Sequence, residues 1–204
     1  MTGPTSQPLP TGTRQLACAR CGAAFACNLN GPCWCGEEAL RLPLPGEASP
    51  TGFTDCLCRD CLRTVAASNA IVESLERAAE RCEDLTPLVY ARLFRVRPET
   101  RAMFRAEAND LVKGSMLQLA LEAILDFAGE RKASHRLILC EVQSHDGYGT
   151  PPELFNVFFA AIADTVRDLL GEDWSPTMET AWRKLRDDLD RYVDDAVRAM
   201  QPAG

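Results

Sequence analysis

No stretch of the sequence approaches the ~18 uninterrupted apolar residues that a membrane span requires, so no membrane-spanning helix is expected. The opening run MTGPTSQPLPTGTRQ lacks both an apolar core and a cationic flank. That argues against a secretory leader and for a cytoplasmic location. Basic clusters are missing as well. The net charge is −7 and arises entirely after residue 63, where 17 Lys and Arg face 24 acids; residues 1–63 balance five Arg against five acids. Without a cationic face to neutralise phosphates, nucleic acid is not an expected partner. No G-x-G-x-x-G occurs anywhere, so the chain carries no recognisable dinucleotide loop. Histidine is scarce: His135 and His145 are the only two. With 46% apolar and 25% charged residues, 204 residues suffice for one ordinary domain and a small addition.

Cysteine, in contrast, is abundant. Ten are present, and eight fall between 18 and 61: Cys18, Cys21, Cys27, Cys33, Cys35, Cys56, Cys58 and Cys61. In a chain with no export signal such a cluster reads as metal binding, because reducing compartments keep thiols free. Cys18-Ala-Arg-Cys21 and Cys58-Arg-Asp-Cys61 are CxxC pairs, each able to fold two thiolates onto one ion, and together they complete a closed tetrahedral zinc site. Cys27, Cys33, Cys35 and Cys56 remain for a second zinc, although the CxC of Cys33-Trp34-Cys35 closes less comfortably. A disulfide framework and an iron–sulfur cluster are the alternatives that spacing leaves open. The segment is short and rich in turn formers, so bound metal would supply stability that its small apolar content cannot. CGAAFAC, PCWC and CLCRDC resemble the small bacterial cysteine-rich CWC family over residues 16–64. That resemblance implies a zinc-binding role and no defined activity. Residues 1–15 are expected to be a disordered tail.

From residue 68 the texture becomes helical, with apolar stripes at a period of 3.6 and no alternating strands. Ser68 or Asn69 opens a helix with Ile71, Leu75 and Ala78 inward. Thr86-Pro87 caps a second helix, and Arg97-Pro98-Glu99 starts a short third ending near Phe104. Asn109 or Asp110 opens a long helix, and another spans about 134–145 before the Gly147-Tyr148-Gly149 break. Thr150-Pro-Pro-Glu153 reads as a capping box for a helix burying Phe155, Phe158, Phe159, Ile162 and Val166, and Ser175-Pro176 starts the last. The class is all-α, with the small cysteine-rich module ahead of it.

LVYARLFRVRPETRAMF (88–104), SHDGYGTPPELF (144–155) and LGEDWSPTMETAW (170–182) are similar, in order and spacing, to segments of bacterial globins, the single-domain or flavohaemoglobin-like haem domain. The likeness covers residues 70–193 and implies a globin fold holding haem b, in a domain expected over 68–200. On that resemblance His145 is the proximal iron ligand, and His135 is a solvated residue at a helix start. Tyr90 lies on the distal side, where a neutral phenol donates a hydrogen bond to the gas ligand. Phe104 wedges against the porphyrin, Leu117 sits above the iron, and Val142, Phe155 and Phe159 line the pocket. Lys113 departs from the pattern, standing where globins carry a distal histidine or glutamine; it is expected to swing toward a haem propionate.

The implied function is reversible binding of oxygen or another diatomic gas, nitric oxide or carbon monoxide. Turnover of nitric oxide would need a separate reductase. Two rival readings stand beside it: a gas or redox sensor whose zinc module signals to a protein partner, and a haem-less globin-fold scaffold.

Overall fold

Two five-residue strands, β1 (Thr13–Ala17) and β2 (Ala24–Asn28), pair antiparallel with Ala17 opposite Ala24 and Thr13 opposite Asn28. The turn between them carries Cys18 and Cys21. Gly22 follows with φ at +73°, a left-handed conformation that a residue with a Cβ adopts only under strain. There the Gly22 N–H donates to the Cys18 carbonyl at 2.9 Å, and the Cys18 N–H to the Ala23 carbonyl at 2.9 Å. The computed structural model describes residues 13–28, 31–40, 42, 52–53, 55–104 and 109–200. The tail expected over 1–15 lies outside the described residues up to position 12, but Thr13, Arg14 and Gln15 belong to β1. This hairpin was not foreseen in the sequence. TRQLA and AFACN show little alternation, and cross-strand backbone pairing rather than a buried face organises them.

The chain divides into two units, Met1–Ala66 and Ala67–Gly204. Helix α1 runs Arg59–Arg81 and so begins at Arg59 rather than at Ser68. Nothing between 59 and 81 is proline or glycine, and Asp60 in the first turn suits the positive end of the helix. Ser68 and Asn69 therefore lie inside α1 and cap nothing.

In the second unit α2 (Thr86–Val96) has Thr86 as its first helical residue, and Asp84 Oδ1 accepts the Thr86 N–H at 2.9 Å. The expected third helix is a 3-10 turn over Pro98–Met103, followed by α3 (Asn109–Ala128), α4 (Ser134–Gly147), α5 (Glu153–Leu170) and α6 (Pro176–Met200). Ser175 caps α6, its Oγ accepting the Met178 N–H at 3.1 Å. The capping box at 150–153 does not form, because α5 starts at Glu153 with Pro152 before it and no side-chain cap. Thr150 serves the preceding helix instead. Gly149 turns left-handed (φ +72°), and the Thr150 N–H reaches the His145 carbonyl at 3.0 Å, closing the end of α4.

Helix α2 packs on α5, α3 on α4, and α6 on both α4 and α5. Their shared core holds Ile124, Phe127, Val142, Ile162, Val166, Leu189 and Val193, all nearly inaccessible. The Trp182 indole of α6 donates to the buried Ser74 hydroxyl at 2.8 Å. Among the described residues no helix is long and apolar enough to cross a membrane.

Asp126, in the last turn of α3, fixes where α4 begins. Its carboxylate accepts the N–H groups of Ser134, Ala133 and Lys132 at 2.7, 2.9 and 3.1 Å. Those donors, the Ser134 N–H foremost, hold its carboxyl down to about 2. A depressed carboxyl stabilises the fold above its unfolded value near 3.8, and that contribution disappears as pH falls through about 2. Asp126→Ala is expected to cost about 1 kcal/mol, as loss of a capping acceptor does. Urea denaturation at neutral pH would measure it, and the difference from wild type should shrink between about pH 4 and pH 2.

Candidate functional site

In the helical unit a cavity of about 400 Å³ opens between the 3-10 turn, α3, the end of α4 and the start of α5. Leu93, Phe104, Met116, Leu154, Phe155 and Phe158 give it a largely apolar wall, and His145 supplies a nitrogen donor. A second, smaller void of about 70 Å³ shares Met116, His145, Phe155 and Phe158 with it and continues between α3 and α4. Three apolar wall residues are left in water: Met103 is 47% exposed, Val112 45% and Tyr148 84%. A wall of this size, apolar yet wet at its rim, matches a bulky apolar ligand that would cover it.

His145 occupies the last turn of α4, its side chain 24% exposed. Its Nδ1 lies 2.8 Å from the Glu141 carbonyl oxygen, one helical turn earlier, and 3.6 Å from the Glu141 carboxylate. A carbonyl only accepts, so this contact selects the tautomer with its proton on Nδ1, which in the neutral imidazole leaves the Nε2 lone pair to a ligand. Among the described residues nothing hydrogen-bonds Nε2. The Phe155 ring meets the imidazole edge to face at 5.1 Å and restricts its rotation. An imidazole oriented by a backbone carbonyl, with its second nitrogen free at a cavity wall, is prepared to ligate a metal.

The other expected pocket residues divide. Phe104 and Phe155 line the larger cavity, and Phe155 and Phe159 line the smaller. Tyr90 stands one layer back, its ring against Phe104 at 5.2 Å and Phe158 at 5.5 Å. Its hydroxyl donates to the Lys113 carbonyl at 3.3 Å, and burial pushes the phenol well above its usual range, so it stays a donor. Lys113 does not swing out. Its ammonium lies 3.5 Å from Asp110 and covers the faces of Tyr90 and Phe94 at 6.0 and 5.8 Å. Leu117 and Val142 are buried in the core and are not among the wall residues of either cavity; α3 offers Val112 and Met116 instead. Their i, i+4 spacing was the available signal, masked because α3 is apolar nearly all round. His135 is half-buried rather than fully solvated, its ring packing against Phe127 and Tyr192 at 5.4 and 4.5 Å.

In the N-terminal unit the sulfurs of Cys18, Cys21, Cys58 and Cys61 all lie within 4.8 Å of one another, with Cys21 and Cys58 at 3.8 Å. A tetrahedral ion with ~2.3 Å metal–sulfur bonds spaces its ligands about 3.8 Å apart, so this group could hold a metal ion. The hairpin turn presents one pair and the start of α1 the other. Burial opposes ionisation of Cys18, but N–H groups of Cys58, Cys21 and Arg20 outweigh it and hold that thiol down to about 6; the Cys58 N–H is 3.2 Å from the sulfur. Burial and the neighbouring thiols push Cys61 up to about 12. Four sulfurs so close cannot all be thiolates without a cation among them. Cys27 and Cys56 meet separately at 3.9 Å.

Comparison with known families gives two matches. The globin model matches residues 88–190, and the cysteine-rich CWC model matches residues 18–63.

Proposed function

Since the chain belongs to the globin family over residues 88–190, we propose that it is a haem protein that reversibly binds a diatomic gas, oxygen foremost, with His145 as the proximal ligand. The observation that carries this reading is the His145 imidazole, tied by Nδ1 to the Glu141 carbonyl and free at Nε2 on the wall of an apolar cavity. Haem b bound there would supply an iron centre able to take a gas ligand. Phe104, Met116, Phe155 and Phe158 would hold the macrocycle by apolar contact and keep water from it. Tyr90 stands behind this wall, its ring against Phe104 and Phe158. Its 3.3 Å bond to Lys113 is long for a hydroxyl donor, so the phenol can turn to a polar ligand at little cost. Lys113 neutralises charge at the Asp110 edge and stiffens the ring pair beneath it.

The Cys18–Cys21–Cys58–Cys61 group holds zinc, whose preference for four thiolates in a closed tetrahedron fits these sulfurs. Nitric oxide dioxygenation at the haem would depend on electrons from a separate reductase. The location is cytoplasmic, where thiols stay reduced.

Haem titration of the purified protein tests the reading. One haem per chain with a Soret band, and reversible oxygen and carbon monoxide spectra after reduction, is the expected result. No Soret band would instead establish the haem-less scaffold.

A further inference from the structure

We propose that Cys27 and Cys56 are a reversible redox pair, which a small peroxide oxidises to a disulfide tying β2 to the segment ahead of α1. Their sulfurs lie 3.9 Å apart, and neither belongs to the group formed by Cys18, Cys21, Cys58 and Cys61.

The hairpin and Asp55 hold the two thiols on one side. In the β1–β2 ladder Cys27 pairs with Arg14, so both side chains leave the same face of the hairpin. The Arg14 guanidinium reaches the Asp55 carboxylate at 3.6 Å. That carboxylate accepts the Cys56 N–H at 2.7 Å. Arg14 therefore draws Asp55, and with it Cys56, over the face that bears Cys27. The Cys56 carbonyl is fixed as well, accepting the Ala19 N–H at 3.2 Å. Anchored at both its N–H and its carbonyl, Cys56 keeps little freedom beyond rotation of its own side chain. The sulfurs need to approach by about 2 Å to reach the ~2.05 Å of a disulfide, which such rotations supply. Held in register beforehand, the pair loses little conformational entropy when the bond forms.

Accessibility divides the roles. Cys27 is 3% exposed, whereas Cys56 is half-buried, so an oxidant small enough to enter meets Cys56 first. In the first step the Cys56 sulfur attacks one oxygen of hydrogen peroxide. An S–O bond forms, the O–O bond breaks, and the other oxygen leaves as water with the thiol proton, giving a sulfenic acid. In the second step the Cys27 sulfur attacks that of Cys56 across the gap between them. The S–S bond forms, the S–O bond breaks, and the hydroxyl leaves as water with the Cys27 proton. Two thiols have then given two electrons to one peroxide, and a dithiol reductant returns them by exchange.

The bond closes residues 27 to 56 into a covalent loop, immediately ahead of Cys58 and Cys61. It joins the strand that follows Cys18 and Cys21 to the segment that leads into the other ligand pair. Such a crosslink restricts the unfolded chain, so the hairpin keeps its place against that segment when metal is removed.

Thiol counting on the full-length protein tests this. After brief hydrogen peroxide treatment, acid quench and alkylation in denaturant, wild type should lose two of its ten alkylatable thiols and regain both with dithiothreitol. Cys33→Ser and Cys35→Ser should lose two likewise. Cys27→Ser should stop at a sulfenic acid on Cys56, trapped by dimedone, and Cys56→Ser should lose none. Fragmentation of the linked wild-type peptides should place the bond between Cys27 and Cys56, an assignment that needs no variant to fold. All ten thiols retained, a bond between any other two cysteines, or a second zinc that shields Cys27 and Cys56 from peroxide would each overturn the pair. Oxidised protein should also keep amide protection at Cys18 and Gly22 after chelation, where reduced protein loses it. Protection lost equally from both would overturn the tie.

Discussion

Replacing His145 with glycine is expected to abolish the axial ligation of haem, and added imidazole to restore it. Loss of a group that merely orients a metal-bound histidine costs 10–100-fold in metal affinity, so loss of the ligand itself should cost on the order of a hundredfold or more. The apoprotein should hardly notice. The side chain is 24% exposed, and its one close hydrogen bond goes to a backbone carbonyl that stays satisfied within α4, so the change in folding stability should be about 1 kcal/mol or less. Glycine leaves an imidazole-sized space between Glu141 and Phe155, on the wall of the larger cavity. Exogenous imidazole should therefore recover a histidine-type visible spectrum in the variant and leave the wild type unchanged. His135→Gly is the matched control: its ring packs between Phe127 and Tyr192, away from either cavity wall, so stability should fall while the haem spectrum holds. A spectrum indifferent to His145→Gly would remove His145 from the site.

What could be read from the sequence follows from which interactions are local. Apolar period, Pro87, Pro98 and Pro176, and the Gly147-Tyr148-Gly149 break are local, and they put α2, α4 and α6 within a few residues of where they lie. The first CxxC pairs were equally legible, because a tight turn brings two thiols together whatever surrounds them. Tertiary choices were not. Thr150 had two possible employments, and the double proline after it left the start of α5 beyond its reach. Leu117 and Met116 are both apolar neighbours on α3, and only the angle at which α3 meets α4 and α5 decides that Met116 faces the cavity. Lys113 was expected to swing toward a haem propionate, yet two aromatic faces and Asp110 hold its stem and charge. The hairpin escaped because its strands are short and its purpose is to hold cysteines, not to bury a face.

Stripping the metal from the Cys18–Cys21–Cys58–Cys61 group should melt the hairpin and its cysteine loops while the helices from Thr86 to Met200 persist. Among the described residues the apolar cluster of the N-terminal unit is small, and two of its three buried members, Cys18 and Cys61, are themselves ligand candidates; Leu57 is the third. Phe25, Leu42, Phe53, Leu62 and Val65 cover it only in part. A hairpin with five-residue strands is marginal alone, whereas a structural zinc site contributes roughly 10–16 kcal/mol. Removal should thus leave this unit without enough stabilisation to stay ordered. Amide exchange is the measurement: the Cys18, Ala19 and Gly22 N–H groups, bonded to the carbonyls of Ala23, Cys56 and Cys18, should lose protection on chelation and regain it when zinc is returned. Cys61→Ser should reproduce the loss without chelator. Cys82→Ser should not, since that thiol donates to the Asp84 carbonyl at 3.2 Å, remote in sequence from the cluster. Protection that survives chelation would mean that the hairpin folds on backbone pairing alone and that the four sulfurs hold no structural ion.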